Sequence, residues 1–511
     1  MKQLPIIFTI LTGILLASCS KKTPEFVNSI PDDAIAVVTL QPMKVYTKGK
    51  VGSLDYIKEK VKDEIWGQIL ENPLSSGLML DEYVYLFASI EEESPVLGFL
   101  AGMRDMSKFE KILGKIDEGN APDATQTDAY KYIRPDNEGI IAWNEDQVVI
   151  LVSPDDEFET PYWITQLDWM FSPVKEESIV SLVDFNKFLG NMKDINMWLS
   201  SEDIRKVVKK FAKAKTGKLP MDLNMDLPID LTNNYYHVYT DFSDGTMNFS
   251  TETNLSEEIQ KNIDEVLVFN PTLNPDLLKM APGGDLLMAL AVSMDLEKLQ
   301  KLVEKVGAPQ LGEVGGKLED VTGIPAQTML NAFTGEFTLA INALEGEMMV
   351  PVEVFLGFGV NSDEIQDLLI KQVETLVPVE DQGDFFVINI QGNEIYSGII
   401  NDNWVLTNMK GYKEKVKSGK LEKSLLDSRF ADFSDQPMGL FLNLDMDSYP
   451  ELAQALIDQS GEKKVWIENL TGSLDYIGMS GGSNEGLVTL KTNKPSENSL
   501  YTLLRIGEAE E

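Results

Sequence analysis

The chain has 511 residues, and its 82 acidic against 44 basic side chains give a formal charge of -38, which works against nucleic acid or an anionic lipid surface as a partner. Hydrophobic residues at 43% and charged residues at 25% describe a globular chain, not a disordered one. A single Cys and a single His exclude a disulfide framework, a CxxC redox pair and a zinc or iron centre, so no cofactor is expected.

The first element is Leu4 to Cys19, LPIIFTILTGILLASC, preceded by Lys2. Its apolar run is shorter than the roughly 20 residues of a membrane span and ends on small residues, the pattern of a signal peptide. The Leu16-Ala17-Ser18-Cys19 ending resembles the bacterial lipobox. That resemblance implies cleavage before Cys19 and acylation of its sulfur and its new amino group. Several acyl chains hold a protein at a membrane far more firmly than one. Ser20, Lys21 and Lys22 follow, neither the Asp of inner-membrane retention nor an acidic surface-export run, so the expected location is the outer membrane, periplasmic face. The expected layout is a signal peptide at 1–18, a lipidated Cys19 and tether at 19–29, and two α+β repeats at 30–270 and 271–511.

The repeats are read from three collinear matches. Ile30-Pro31-Asp32-Asp33-Ala34 and Ala281-Pro282-Gly283-Gly284-Asp285 each open on a Pro-led turn into an apolar strand. Trp143-Asn144-Glu145-Asp146-Gln147 and Ile400-Asn401-Asp402-Asn403-Trp404 are hairpin turns, with Asn144 and Asn401 separated by 401 − 144 = 257 positions. Ser243-Asp244-Gly245 and Ser483-Asn484-Glu485-Gly486 form the third pair, one residue longer in the second copy. Phe269 to Asn274, FNPTLN, interrupts the periodic pattern between them.

Within the first half, strands are expected at 82–89, 95–101, 129–134, 139–144 and 147–153, and within the second at 335–343, 350–360, 385–390, 394–401 and 404–409. Most connections are too short for parallel crossovers, so each domain is expected to be a mostly antiparallel sheet covered by a few amphipathic helices. Ser107 and Glu110 suggest a capping box ahead of the stripe Phe109, Ile112, Leu113, Ile116. Leu296, Leu299, Leu302, Val303 and Val306 form a second stripe, and Ser362 is expected to cap a third with Ile365, Leu368, Leu369 and Val373.

The lipobox, the Ser29-Ile30-Pro31-Asp32-Asp33-Ala34-Ile35-Ala36-Val37-Val38 opening and the overall size together resemble a family of Bacteroidota lipoproteins known only as a domain of unknown function. The resemblance implies an exported, lipid-anchored protein and supplies no catalytic residue.

Candidate chemistry is weighed motif by motif. Gly478-Met479-Ser480-Gly481-Gly482 fits G-x-S-x-G, but a nucleophile elbow needs a following helix and a downstream His; His237 lies upstream, and a glycine-rich β-turn is the preferred reading. Ser172 to Lys175 and Lys215-Thr216-Gly217 lack the third element and the spacing of a penicillin-binding enzyme. Gly315-Gly316-Lys317 lacks the rest of a phosphate loop. Asn443, Asp445 and Asp447 alternate like calcium ligands, yet Ser448 and Gln454 stand where a calcium loop needs Gly and an acid. Phe158, Tyr162, Trp163, Trp169 and Phe171 suit either a stacking platform or, preferably, a buried aromatic cluster. Met348 and Met349 belong to a set of 21 Met that suits apolar cargo or core filling. The expected function is therefore an envelope binding or scaffolding component with a protein partner. An apolar-ligand carrier and a carboxylate-based enzyme such as a glycosidase are the alternatives.

Overall fold

The structure is a computed structural model that describes residues 23–61, 72–91, 94–114, 123–135, 139–153, 158–201, 233–256, 260, 268–306, 324–344, 352–383, 385–390, 392–418, 421–451, 454–455 and 468–508. The chain divides into two compact units, Met1–Thr47 with Val51–Ser200, and Lys48–Lys50 with Ser201–Glu511. The repeat boundary read from the sequence lies at 270/271; the two divisions differ in which side receives residues 201–270. Among the described residues no helix is long and apolar enough to cross a membrane.

The first unit carries β1 (Ala36–Leu40), β2 (Val84–Glu91), β3 (Ser94–Gly102), β4 (Thr125–Gln126), β5 (Lys131–Ile133), β6 (Gly139–Trp143), β7 (Gln147–Val152) and β8 (Ile195–Ser200). They pair in the order β8-β1-β2-β3-β7-β6-β5-β4, every pair antiparallel. The β6–β7 turn forms because the Asn144 carbonyl Oδ1 accepts from the amides of Asp146 at 2.9 Å and Gln147 at 3.0 Å. The expected aromatic cluster forms in part: the Phe158 and Tyr162 rings stack at 4.1 Å and both meet the buried Trp163 edge-on, whereas Phe171 stacks on Tyr130 at 4.5 Å and the half-buried Trp169 donates to Glu177 at 3.0 Å. Helix Met106–Leu113 buries Phe109 and Leu113 of the expected stripe and half-buries Ile112, Ile116 lying outside the described residues, but its cap is Asp105, which accepts from the Lys108 amide. Ser107 and Glu110 form no capping box: Ser107 lies inside the first turn, and Glu110 reaches across to Lys131 at 2.8 Å and the Trp143 indole at 3.0 Å.

The second unit carries β9 (Tyr235–Ser243), β10 (Thr246–Asn254), β11 (Leu286–Ser293), β12 (Phe333–Ala343), β13 (Val352–Val360), β14 (Val379–Asp381), β15 (Phe385–Ile390), β16 (Asn393–Ile400), β17 (Asn403–Thr407), β18 (Met438–Asn443), β19 (Leu474–Gly481) and β20 (Glu485–Thr492). Their order is β9-β10-β20-β19-β18-β11-β12-β13-β17-β16-β15-β14, again antiparallel throughout. The run β18-β11-β12-β13-β17-β16-β15-β14 follows the order of the first unit, strand for strand. The Pro-led openings also match in their bonds. Ile179 donates to Ile30 at 2.9 Å and Asp32 to Glu177 at 3.0 Å; Leu425 donates to Ala281 at 2.9 Å and Gly283 to Lys423 at 3.0 Å.

One face of the second sheet is a closed core. Leu277, Ala289, Ala291, Ala340, Phe355, Val405, Tyr412, Phe430 and Phe441 are buried there, each large side chain contributing about 1.5–3 kcal/mol. The alternate positions point to the other face. Met438, Leu440 and Leu442 of β18, Met288, Leu290 and Val292 of β11, Phe337, Leu339 and Ile341 of β12, and Val354, Leu356 and Phe358 of β13 are all apolar and all half-buried. Helix Glu364–Val373 covers the Trp404 end of this face, burying Ile365 and Ile370. Its stripe is rotated from the expected one: Leu368 is 37% exposed, because the Gln366 side chain turns inward to donate to the Ser397 carbonyl at 3.1 Å. Ser362 accepts from the Glu364 amide at 3.2 Å, but it stands one position before the N-cap, which is Asp363 and makes no side-chain cap bond.

Candidate functional site

The second unit holds a cleft of about 1110 Å³ where β11 begins and β12 and β18 end. Its floor is Gly283 to Leu286, Ala343, Leu344, Phe441 and Asn443; one wall is drawn from residues 423–429 and the other from 445–454. Backbone bonding fixes the floor against the first wall. Pro282 bridges Ser424, and a Cβ on Gly283 would overlap the Ser424 carbonyl, so only glycine fits that approach.

The first wall is a short 3-10 turn, Leu425–Asp427, closed by a capping box. Asp427 Oδ2 accepts from the Ser424 hydroxyl at 2.7 Å and its amide at 3.0 Å. Those two bonds, the hydroxyl first, hold the Asp427 carboxyl below the usual carboxylate range. Arg429 donates to Asp475 at 2.6 Å and lies over the Tyr476 ring at 5.6 Å. On the second wall, Tyr449 donates to the Asn443 carbonyl at 2.6 Å, and Gln454 donates to the carbonyls of Met446 at 3.1 Å and Tyr449 at 2.8 Å. The lining carries Asp285, Asp427, Asp445, Asp447 and Glu451 against Lys423 and Arg429. This is a water-facing, charged cleft suited to a polar ligand.

The structure brings Asn443, Asp445 and Asp447 into this cleft, but as links in a turn. Asn443 Oδ1 accepts from the Asp445 amide at 2.9 Å, and Asp445 accepts from the Asp447 amide at 3.2 Å and the Ser448 hydroxyl at 3.1 Å. Among the described residues no three His, Cys, Asp or Glu side chains are grouped to hold a metal ion.

The glycine-rich β-turn expected at Gly478 to Gly482 is instead mostly strand: Gly478 to Gly481, Ser480 included, pair within β19, and the turn into β20 follows at 482–484. His237 is buried in β9, its Nδ1 3.2 Å from the Tyr239 hydroxyl and 3.3 Å from the Asn254 amide. The order β19-β20-β10-β9 separates the two by three strand steps, about 14 Å, so they cannot form a nucleophile–base pair. Ser172 and Lys175 are exposed beside the aromatic helix. Cys19, Lys215 to Gly217, Gly315 to Lys317, and Met348 with Met349 lie outside the described residues. The cleft residues missed by sequence reasoning are Lys423, Asp427, Arg429 and Glu451; Ser424-x-x-Asp427 was the one local signal, a capping pattern.

A family model described as Domain of unknown function (DUF4836) matches residues 26–500. No curated protein matches the chain. Among solved structures the chain is similar to crystal form I of TP0453, with 10% identity and a TM-score of 0.28, covering 48% of this chain and 87% of that one. Crystal form IV of TP0453 matches with 11% identity and a TM-score of 0.28, over 48% of this chain and 85% of that one.

Proposed function

The chain belongs to the DUF4836 family, and we propose that it is a lipid-anchored cell-envelope protein that acts as a binding or scaffolding component. Acyl chains on Cys19 hold it in the outer membrane, and its body, two tandem α+β copies at 30–270 and 271–511, faces the periplasm. The Leu16 to Cys19 ending supports the anchor. The repeated strand order and the paired bonds at Ile30/Ile179 and Ala281/Leu425 support the duplication. The observation that carries the binding role is the charged cleft of about 1110 Å³, set on a closed aromatic core that keeps its floor rigid.

The anchor is tested by growing the native host on alkyne-palmitate and probing the purified protein. Label is expected on the wild type and absent from Cys19→Ala; label retained in the variant overturns the anchor. The binding role is tested by native mass spectrometry of the mature protein extracted in mild detergent. A polar adduct or a protein complex is expected.

A second reading, carriage of an apolar ligand, is favoured by the half-buried apolar face of β18-β11-β12-β13. A lipid mass in the same spectra would put that reading first.

A further inference from the structure

The two walls of the cleft differ in charge. Arg429 is bonded to Asp475, Asp427 to Ser424, and Asp445 to its own turn. Lys423 on the first wall, Asp447 and Glu451 on the second and Asp285 on the floor have no side-chain partner among the described residues, and all four are exposed. Among the described residues, the unpaired charged groups lining this volume of about 1110 Å³ are thus one ammonium and three carboxylates. Small-molecule sites typically occupy roughly 300–1,000 Å³, so the space suits an extended ligand of a few units.

We infer that this cleft takes a short zwitterionic peptide, its ammonium groups toward Asp447 and Glu451 and its carboxylate toward Lys423. A neutral glycan would fill the same space without using the separated charges; a single metal ion would leave most of it empty. Hydrogen bonds along the walls come from groups already held in place, Tyr449 by Asn443 and Gln454 by Met446, so binding does not have to order them. The inference rests on the binding role proposed above and names its ligand class.

The experiment is isothermal titration calorimetry on the mature protein in detergent. The probes are the tripeptide Lys-Ala-Ala, the same peptide with acetylated amines, its C-terminal amide, and chitotetraose. Lys-Ala-Ala is expected to bind, more weakly as salt rises. Lys423→Ala should weaken it up to about fivefold, the size of one exposed charge contact, and Asp447→Asn with Glu451→Gln, which removes two such contacts, by more than Lys423→Ala does. The pairing must also be specific. Lys423→Ala should have no further effect on the amide, and the acidic double variant no further effect on the acetylated peptide. Absence of binding by Lys-Ala-Ala, variants that bind it like wild type, or preference for chitotetraose overturns the inference. A polar adduct of another class in the native spectra would leave the binding role standing and remove only this ligand, and palmitate labelling reads the anchor independently.

Discussion

Gly478, the first residue of the G-x-S-x-G match, tests whether that motif serves packing or chemistry. A Cβ built there lands inside the Phe433 ring, and Phe433 is 3% exposed and set edge-on to Tyr476 at 6.2 Å. The ring has no room to withdraw, since Gly478 sits on β19 opposite Phe441 of β18 in the same core. Gly478→Ala is therefore an overpacking change worth about 1–3 kcal/mol. Phe433→Ala alone should cost about 3–5 kcal/mol through the cavity it leaves. In that background the added methyl enters the cavity, and Gly478→Ala should cost nothing further. The coupling between the two, about 2 kcal/mol, is read from urea unfolding of the four proteins by circular dichroism, following the transition of the second unit. Equal cost of Gly478→Ala in both backgrounds would refute the packing account. Ser480→Ala should leave the midpoint within about 0.5 kcal/mol of wild type.

Two further outcomes follow from caps and buried carboxyls. Asp105→Ala should lose about 1 kcal/mol, the cost of an N-cap, while Ser107→Ala should change stability by under about 0.5 kcal/mol; thermal unfolding of the first unit separates them. Burial raises the Glu353 carboxyl above its free value of 4.5, against the opposing pull of Lys415. The folded state then holds this proton more tightly than the unfolded state, so the associated stability is complete below the unfolded pKa and is lost as pH rises through the folded one. Glu353→Gln should accordingly gain on wild type as pH rises from about 4.5, measured as the difference in urea midpoints; a constant difference across that window would contradict the sign.

The strands expected within each half were legible because each carries its own signal, whereas β4, β8, β14 and β18 were not foreseen. Phe385 to Ile390 matches its apolar run, β12 begins two residues before the expected span, and β13 ends at Val360 as expected, residues 350–351 lying outside the described ones. Hairpin turns were legible for the same local reason: Asn401 and Asp402 hold left-handed φ values of 49° and 58°, which Asn and Asp tolerate best after Gly. Errors came where two local signals competed or where a distant partner decided. At 105–110 the Ser-x-x-Glu pattern lay two residues inside the true cap, and only the position of Trp143 and Lys131 explains why Glu110 faces away. Gln366 turned its helix through a bond to Ser397, a residue 31 positions on. The cleft was illegible as a unit because its lining comes from segments near 284, 343, 427 and 448, none of which carries a motif of its own.

The matched openings explain why a common strand order need not give two identical sites. Asp32 and Gly283 make equivalent backbone bonds, to Glu177 and to Lys423, so the ladder at this point is made by main-chain atoms in both units. Side chains then decide what the strand end presents. In the second unit Gly283 and Gly284 leave the floor bare, and the close approach of the Ser424 carbonyl forbids anything larger at Gly283. In the first unit two carboxylates, Asp32 and Asp33, and a third on Glu177, occupy the corresponding positions and are exposed to solvent. A common strand order with different strand-end segments therefore presents different surfaces in the two units, since the segments carry the side chains and the sheet only positions them.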